Sequence, residues 1–144
     1  MPLSLLKTNN MLQLRIVATK PTKVTLTFTQ GGTETFDVAA GQVYTRTFSV
    51  SEAQKLYSDA TGITNKSLHI TSNELITVFA INIRAHSTDA TNVLPVTNYG
   101  KAYRHLTYTT SANDGYTLVA AEDNTQISEN GNVIVTLNRG QVYS

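Results

Sequence analysis

The chain has no cysteine in 144 residues. That one absence removes disulfides, thiolate nucleophiles and thiol-ligated zinc together. Small secreted domains often rely on disulfides, but a chain of this length buries enough apolar surface without them. The absence leans toward a bacterial or viral source. Charge is also sparse: Asp, Glu, Lys and Arg make up 15% of the chain, and the net charge is +1. The basic residues are scattered, so neither nucleic acid nor an acidic membrane is an expected partner. No apolar run approaches the length of a membrane-spanning helix, so no membrane insertion is expected. The opening MPLSLLKTNN lacks the apolar core and small-residue cleavage site of a signal peptide.

What is present is alternation. Leu12 to Val17 alternates apolar and polar residues and reads as a half-buried strand. Lys20-Pro21-Thr22 breaks it. Val24, Leu26 and Phe28 then alternate with Thr25, Thr27 and Thr29, giving one core face and one threonine face. Gly31-Gly32 permits a tight hairpin. Thr35 to Val38 returns, Ala40-Gly41 turns, and Val43 to Val50 forms another strand. Ser51 to Leu56 is the one helical candidate, with Ser49 or Ser51 as its cap. Asp59 to Lys66 reads as a polar loop, and Asn65-Lys66-Ser67 fits a glycosylation sequon. Further on, Ala102 to Thr109 and Tyr116 to Ala121 read as strands, and Asn130-Gly131 is the clearest hairpin signal. About ten short strands with almost no helix predict an all-β, antiparallel, Ig-like β-sandwich.

The segment from His69 to Val96 organises this pattern. Leu75 to Ile83 is nearly all apolar and predicts a central strand covered on both faces, with Phe79 in the core. Arg84 to Asn92 reads as a polar loop shaped by Asp89, whose carboxylate is expected to bind nearby backbone amides. The motifs ITSNELITVFAIN, STDATNVLPV, Tyr99 to Tyr103 and LVAAEDNTQI, in that order, resemble the IgGFc-binding protein N-terminal domain family. The likeness runs from about Leu12 onward. It marks Ser87, Thr88, Asp89, Ala90, Leu94, Pro95, Glu122, Asp123 and Asn124 as family-motif residues. The resemblance implies a β-sandwich module of secreted animal proteins or bacterial surface proteins. It does not carry antibody binding, because no residue here matches a motif for it.

The chain also repeats itself. Ile16 to Ala18 corresponds to Leu118 to Ala120, Gly31-Gly32 to Asn130-Gly131, and Gly41 to Tyr44 to Gly140 to Tyr143. The expected division is an extension over 1–11, a first sandwich unit over 12–96, and linker strands plus half of a second unit over 97–144. The second copy has no counterpart of Thr45 to Val50 or of His69 to Ile83. Its apolar residues, Val133 and Val135 among them, therefore predict completion by a neighbouring domain or by a homo-oligomer contact.

No catalytic constellation emerges. Ser87, His86 and Asp89 assemble a triad on paper only, since sequence neighbours rarely have its geometry. The three histidines, His69, His86 and His105, do not have zinc-ligand spacing. Asp89 with Glu122, Asp123 and Asn124 could offer oxygens to calcium, but the spacing matches no calcium loop. No enzyme, metal or cofactor is expected. Tyr99, Tyr103, Tyr108 and Tyr116 cluster in the second half and suit contact with a protein or glycan. The expected function is a non-catalytic adhesion or binding module of an extracellular or cell-surface protein. The alternative is a structural subunit of a larger assembly, such as a phage fibre, decoration protein or filament, and hence a virion component.

Overall fold

A computed structural model describes residues 11–57, 61–84, 88–106 and 115–144. It is a β-sandwich. One sheet has the order β4-β1-β7-β8, from β1 (Met11–Ala18), β4 (Val43–Thr47), β7 (Ile76–Ile83) and β8 (Thr88–Val93). The facing sheet has the order β3-β2-β6, from β2 (Thr22–Phe28), β3 (Thr33–Val38) and β6 (Leu68–Ser72). All these ladders are antiparallel.

The side-chain period of two decides which residues meet. On β1, Leu14, Ile16 and Ala18 point inward; on β2, Val24, Leu26 and Phe28 do. These six side chains, with Val38, Phe48 and Val78, form the core. The opposite face of β2 is the expected threonine face, where the Thr25 and Thr35 hydroxyls lie 3.1 Å apart across the strands. One turn of helix, α1 (Val50–Gln54), closes an end of the sandwich with Ala53 and the following Tyr57. Its cap is Ser49: the side chain accepts from the Glu52 N–H, and the Ser49 N–H donates to the Glu52 carboxylate at 2.7 Å. That reciprocal pair satisfies two otherwise orphaned donors. Tyr57 donates its hydroxyl hydrogen to Asn82 on β7, tying the helix to the sheet.

Three expectations need correction. The apolar strand starts at Ile76, and Leu75 is 86% exposed in the turn before it. Although β7 lies inside its sheet, only Val78 and its alternate neighbours face the core. Phe79 points to the outer face and is 39% exposed, whereas Ile81 on that face is buried. Ala102 to Leu106 has no regular structure, and residues 107–109 of that expected strand lie outside the described residues.

The second copy contributes β9 (Leu118–Val119), β10 (Thr125–Glu129), β11 (Asn132–Leu137) and β12 (Val142–Tyr143). Its strands pair in the register of the first copy. Val17 sits opposite Val43 and Ile16 opposite Tyr44; Val119 sits opposite Val142 and Leu118 opposite Tyr143. Thr22 faces Val38 as Thr125 faces Leu137. The glycine turns match too: the Gly41 N–H donates to Ala18 at 2.9 Å, and the Gly140 N–H to Ala120 at 2.8 Å. One ladder joins the two copies, however. A strand absent from the sequence expectation, β5 (Ile63–Thr64), lies in the first copy's loop and pairs with β12. The sheet order is β5-β12-β9.

Candidate functional site

The segment that follows β7 was expected to be a loop. From Thr88 it is a strand, β8, paired with β7 along its whole length, Asp89 opposite Asn82 and Val93 opposite Val78. Ser87 lies outside the described residues. Among the described residues the Asp89 carboxylate has no hydrogen-bond partner, and Asp89 lies in a strand rather than a turn. The register with β7 holds this stretch instead. Every residue of β8 is exposed, and its far edge carries no strand among the described residues. Thr88, Asp89 and Ala90 therefore display themselves to solvent.

Beyond β8 the chain stays exposed while turning apolar. Val93, Leu94 and Val96 are exposed, and a single 3-10 turn at Val96–Asn98 follows Pro95. Tyr99 is exposed, and Tyr103 is 70% exposed, its hydroxyl oxygen accepting from the Gly100 N–H at 2.8 Å. That bond brings the phenol beside the Gly100 backbone. Leu106 is 87% exposed. Over 93–106 the exposed residues thus include Val93, Leu94, Val96, Tyr99, Tyr103 and Leu106, in a stretch that continues directly from the edge strand β8. Tyr116, half-buried, packs against this stretch from outside it, meeting the His105 ring edge-on with centroids 5.6 Å apart. Tyr108 lies outside the described residues.

The other candidates have structural roles. Asp123 accepts from the Arg139 N–H at 2.9 Å, Thr125 donates to the Glu122 carbonyl, and Asn124 takes a positive φ of 55°. This acidic turn is thus occupied by its own backbone. Among the described residues no three His, Cys, Asp or Glu side chains group as metal ligands. His69 stands on β6 opposite Thr27; His86 lies outside the described residues. The sequon serine, Ser67, is committed to packing, donating to the Gly140 carbonyl at 2.6 Å. A shallow depression lined by Thr22, Lys23, Asp37 and Glu74 holds charges that answer each other, with Lys23 3.0 Å from Asp37. Val133 is exposed at the tip of the β10–β11 hairpin, and Val135 is half-buried.

A family model described as IgGFc binding protein matches residues 5–144. The chain belongs to the IgGFc binding protein family. No curated protein and no solved structure matches it. The family is one of binding domains. Among the described residues no helix is long and apolar enough to cross a membrane.

Sequence reasoning marked Leu94, Tyr99 and Tyr103 but missed Val93, Val96 and Leu106. Val93 and Val96 stand inside the STDATNVLPV motif already marked, whereas Leu106 fell in the expected strand Ala102 to Thr109.

The strongest charge cluster of this IgGFc binding protein domain is structural. Arg46 on β4 bridges Glu34 of β3 at 2.8 Å and Glu52 of α1 at 2.6 Å, and its guanidinium lies 5.1 Å from the centre of the Phe48 ring. The Glu34 hydrogen bond raises the Arg46 pKa further. The Ser49 backbone N–H, ahead of the Ser49 hydroxyl and Arg46, holds Glu52 below its ordinary value of 4.5. A depressed carboxylate adds stability above its unfolded pKa, and that stability is lost as pH falls through the folded one. Stability is therefore expected to fall on acidification below the ordinary glutamate range. In Glu52→Gln the acid-side slope should be shallower and the neutral stability lower, as read by urea unfolding across pH. An unchanged slope would show that the capping carboxylate is not a linked group.

Proposed function

We propose that this domain is a non-catalytic adhesion module of an extracellular or cell-surface protein, and that it holds a protein or glycan on the 93–106 surface. The observation that carries this reading is that Leu94, Val96, Tyr99 and Tyr103 are all exposed in the stretch that follows the edge strand β8, in a member of a binding-domain family. Apolar patches left in water mark interaction sites, and a tyrosine supplies contact area with little loss of freedom. The test is a glycan and protein array with the wild type, Leu94→Asp and Tyr103→Ala. Both substitutions lie at exposed positions, so the melting temperature should stay put while binding to any captured ligand falls tenfold or more. A ligand that both variants hold as well as the wild type would move the site elsewhere.

A second reading, a structural subunit of a larger assembly, draws on a separate observation. The second copy is covered less fully than the first. A particle component would self-associate as concentration rises, whereas a surface module would stay monomeric in light scattering.

A further inference from the structure

The stretch after β8 carries charge of one sign. From Ala90 to Asn113 the sequence holds no aspartate or glutamate, yet it holds Lys101 and Arg104. Several cations elsewhere are answered. Lys20 lies 3.8 Å from Glu74, Lys23 lies 3.0 Å from Asp37, and Arg46 lies 2.8 Å from Glu34. Lys55 donates to the Gly31 carbonyl at 3.2 Å. Lys101 and Arg104 are exposed and, among the described residues, have no hydrogen-bond or ion-pair partner. Three residues apart, their Cα atoms are separated by at most about 11 Å. Exposed charge is screened over about 8 Å at physiological ionic strength, so one anionic ligand lying along the stretch meets both. Aromatic area alternates with the charge, because Tyr99 and Tyr103 are exposed on either side of Lys101.

We infer that the ligand of the 93–106 stretch is an acidic glycan, one whose sugars carry carboxylate or sulfate groups. The inference rests on the binding role proposed above and names the class of its ligand. Charge and ring area together decide that class. Nucleic acid is held by neutralising many phosphates, on the order of 6–10 for a specific complex, and this stretch offers two cations. A stable protein partner engages about 20–30 residues a side, more than one such stretch supplies. An acidic sugar asks for less. Its anionic group meets the Arg104 guanidinium or the Lys101 ammonium in a charge-assisted hydrogen bond. The C–H face of its ring rests on a tyrosine, whose π face is negative.

The test titrates the full chain with four polymers: chondroitin sulfate, hyaluronan, dextran and polyglutamate. Hyaluronan carries carboxylates alone and chondroitin sulfate carries sulfates as well, so the pair reads which anion is used. The expected result is saturable binding to one or both, weakening as salt is raised, with no binding to dextran. Polyglutamate, which has the charge but no sugar ring, should bind at least tenfold more weakly. Lys101→Gln/Arg104→Gln and Tyr103→Ala should each weaken glycan binding tenfold or more. Arg15→Gln/Arg139→Gln removes as much charge at exposed positions outside the stretch and should bind as the wild type does. Binding to neither acidic glycan, equal binding of dextran or polyglutamate, or an equal loss in the Arg15/Arg139 variant would overturn the inference. The two readings fail differently. A ligand from the array that Leu94→Asp loses and Lys101→Gln/Arg104→Gln retains would overturn this inference and leave the binding role standing. One that neither variant loses would overturn both.

Discussion

Ile16→Ala should cost the domain about 2–5 kcal/mol, with the upper part of that range expected. Ile16 is fully buried and sits opposite Val78 on one side and Tyr44 on the other. Removing three carbons there leaves a cavity walled by two sheets and flanked by two strands, so the surroundings have little room to collapse. Its equivalent, Leu118, is half-buried and, among the described residues, has no strand in the place that β7 takes beside Ile16. Leu118→Ala should therefore cost only about 1–2 kcal/mol, since water already reaches part of the side chain. Urea unfolding of both variants gives the comparison, provided the slope with denaturant stays the same. Equal costs would mean that the second copy is as well covered as the first.

Gly140→Ala should be nearly as damaging, at about 2–4 kcal/mol, combining left-handed backbone strain with overpacking. Gly140 has a φ of +79°, where a side chain is strained in any surroundings. Space is lacking as well: an added Cβ would lie 2.7 Å from Thr29 Oγ1 and 3.1 Å from its Cγ2. Thr29 cannot swing away freely, because its hydroxyl is 2.7 Å from that of Ser67, which in turn donates to the Gly140 carbonyl. The substitution therefore strikes the seam between the two copies. Thr29→Ala clears the collision but not the strain, so the double variant should recover part of the loss. Strict additivity of the two substitutions in thermal unfolding would show that Thr29 and Gly140 do not press on each other.

Much of this fold is legible in the sequence because its first strands obey period two without interruption. Leu12 to Val17, and the Val24–Leu26–Phe28 row against its threonines, declare both element and face. Glycine and Asn-Gly pairs mark the hairpins, and the serines at 49 and 51 mark the helix start. The failures have physical causes. A run as apolar as Leu75 to Ile83 predicts burial on both faces, but the outer face is covered at Ile81 and open at Phe79, and what covers one position but not the next is tertiary. Thr88 to Val93 has polar, turn-forming composition, yet it is extended because β7 offers it a ladder. Ile63-Thr64 is too short for any periodicity to reveal. As for the binding surface, its residues were partly named in advance, but nothing in their spacing showed that they would be left in water together.

The pairing of β5 with β12 has a consequence for the order of events during synthesis. Ile63 and Thr64 leave the ribosome long before Val142 and Tyr143, while the first copy already has all its other strands. The sandwich can close at once, but β5 must wait as bare backbone until β12 arrives. The latch then snaps shut through two ladder positions and the reciprocal bonds between Gly62 and Ser144, at 2.9 and 3.3 Å. So short a ladder opens readily, and its amides should exchange with solvent well before those of β1. The domain would thus be born in two stages, and the seam made last would be the first to breathe.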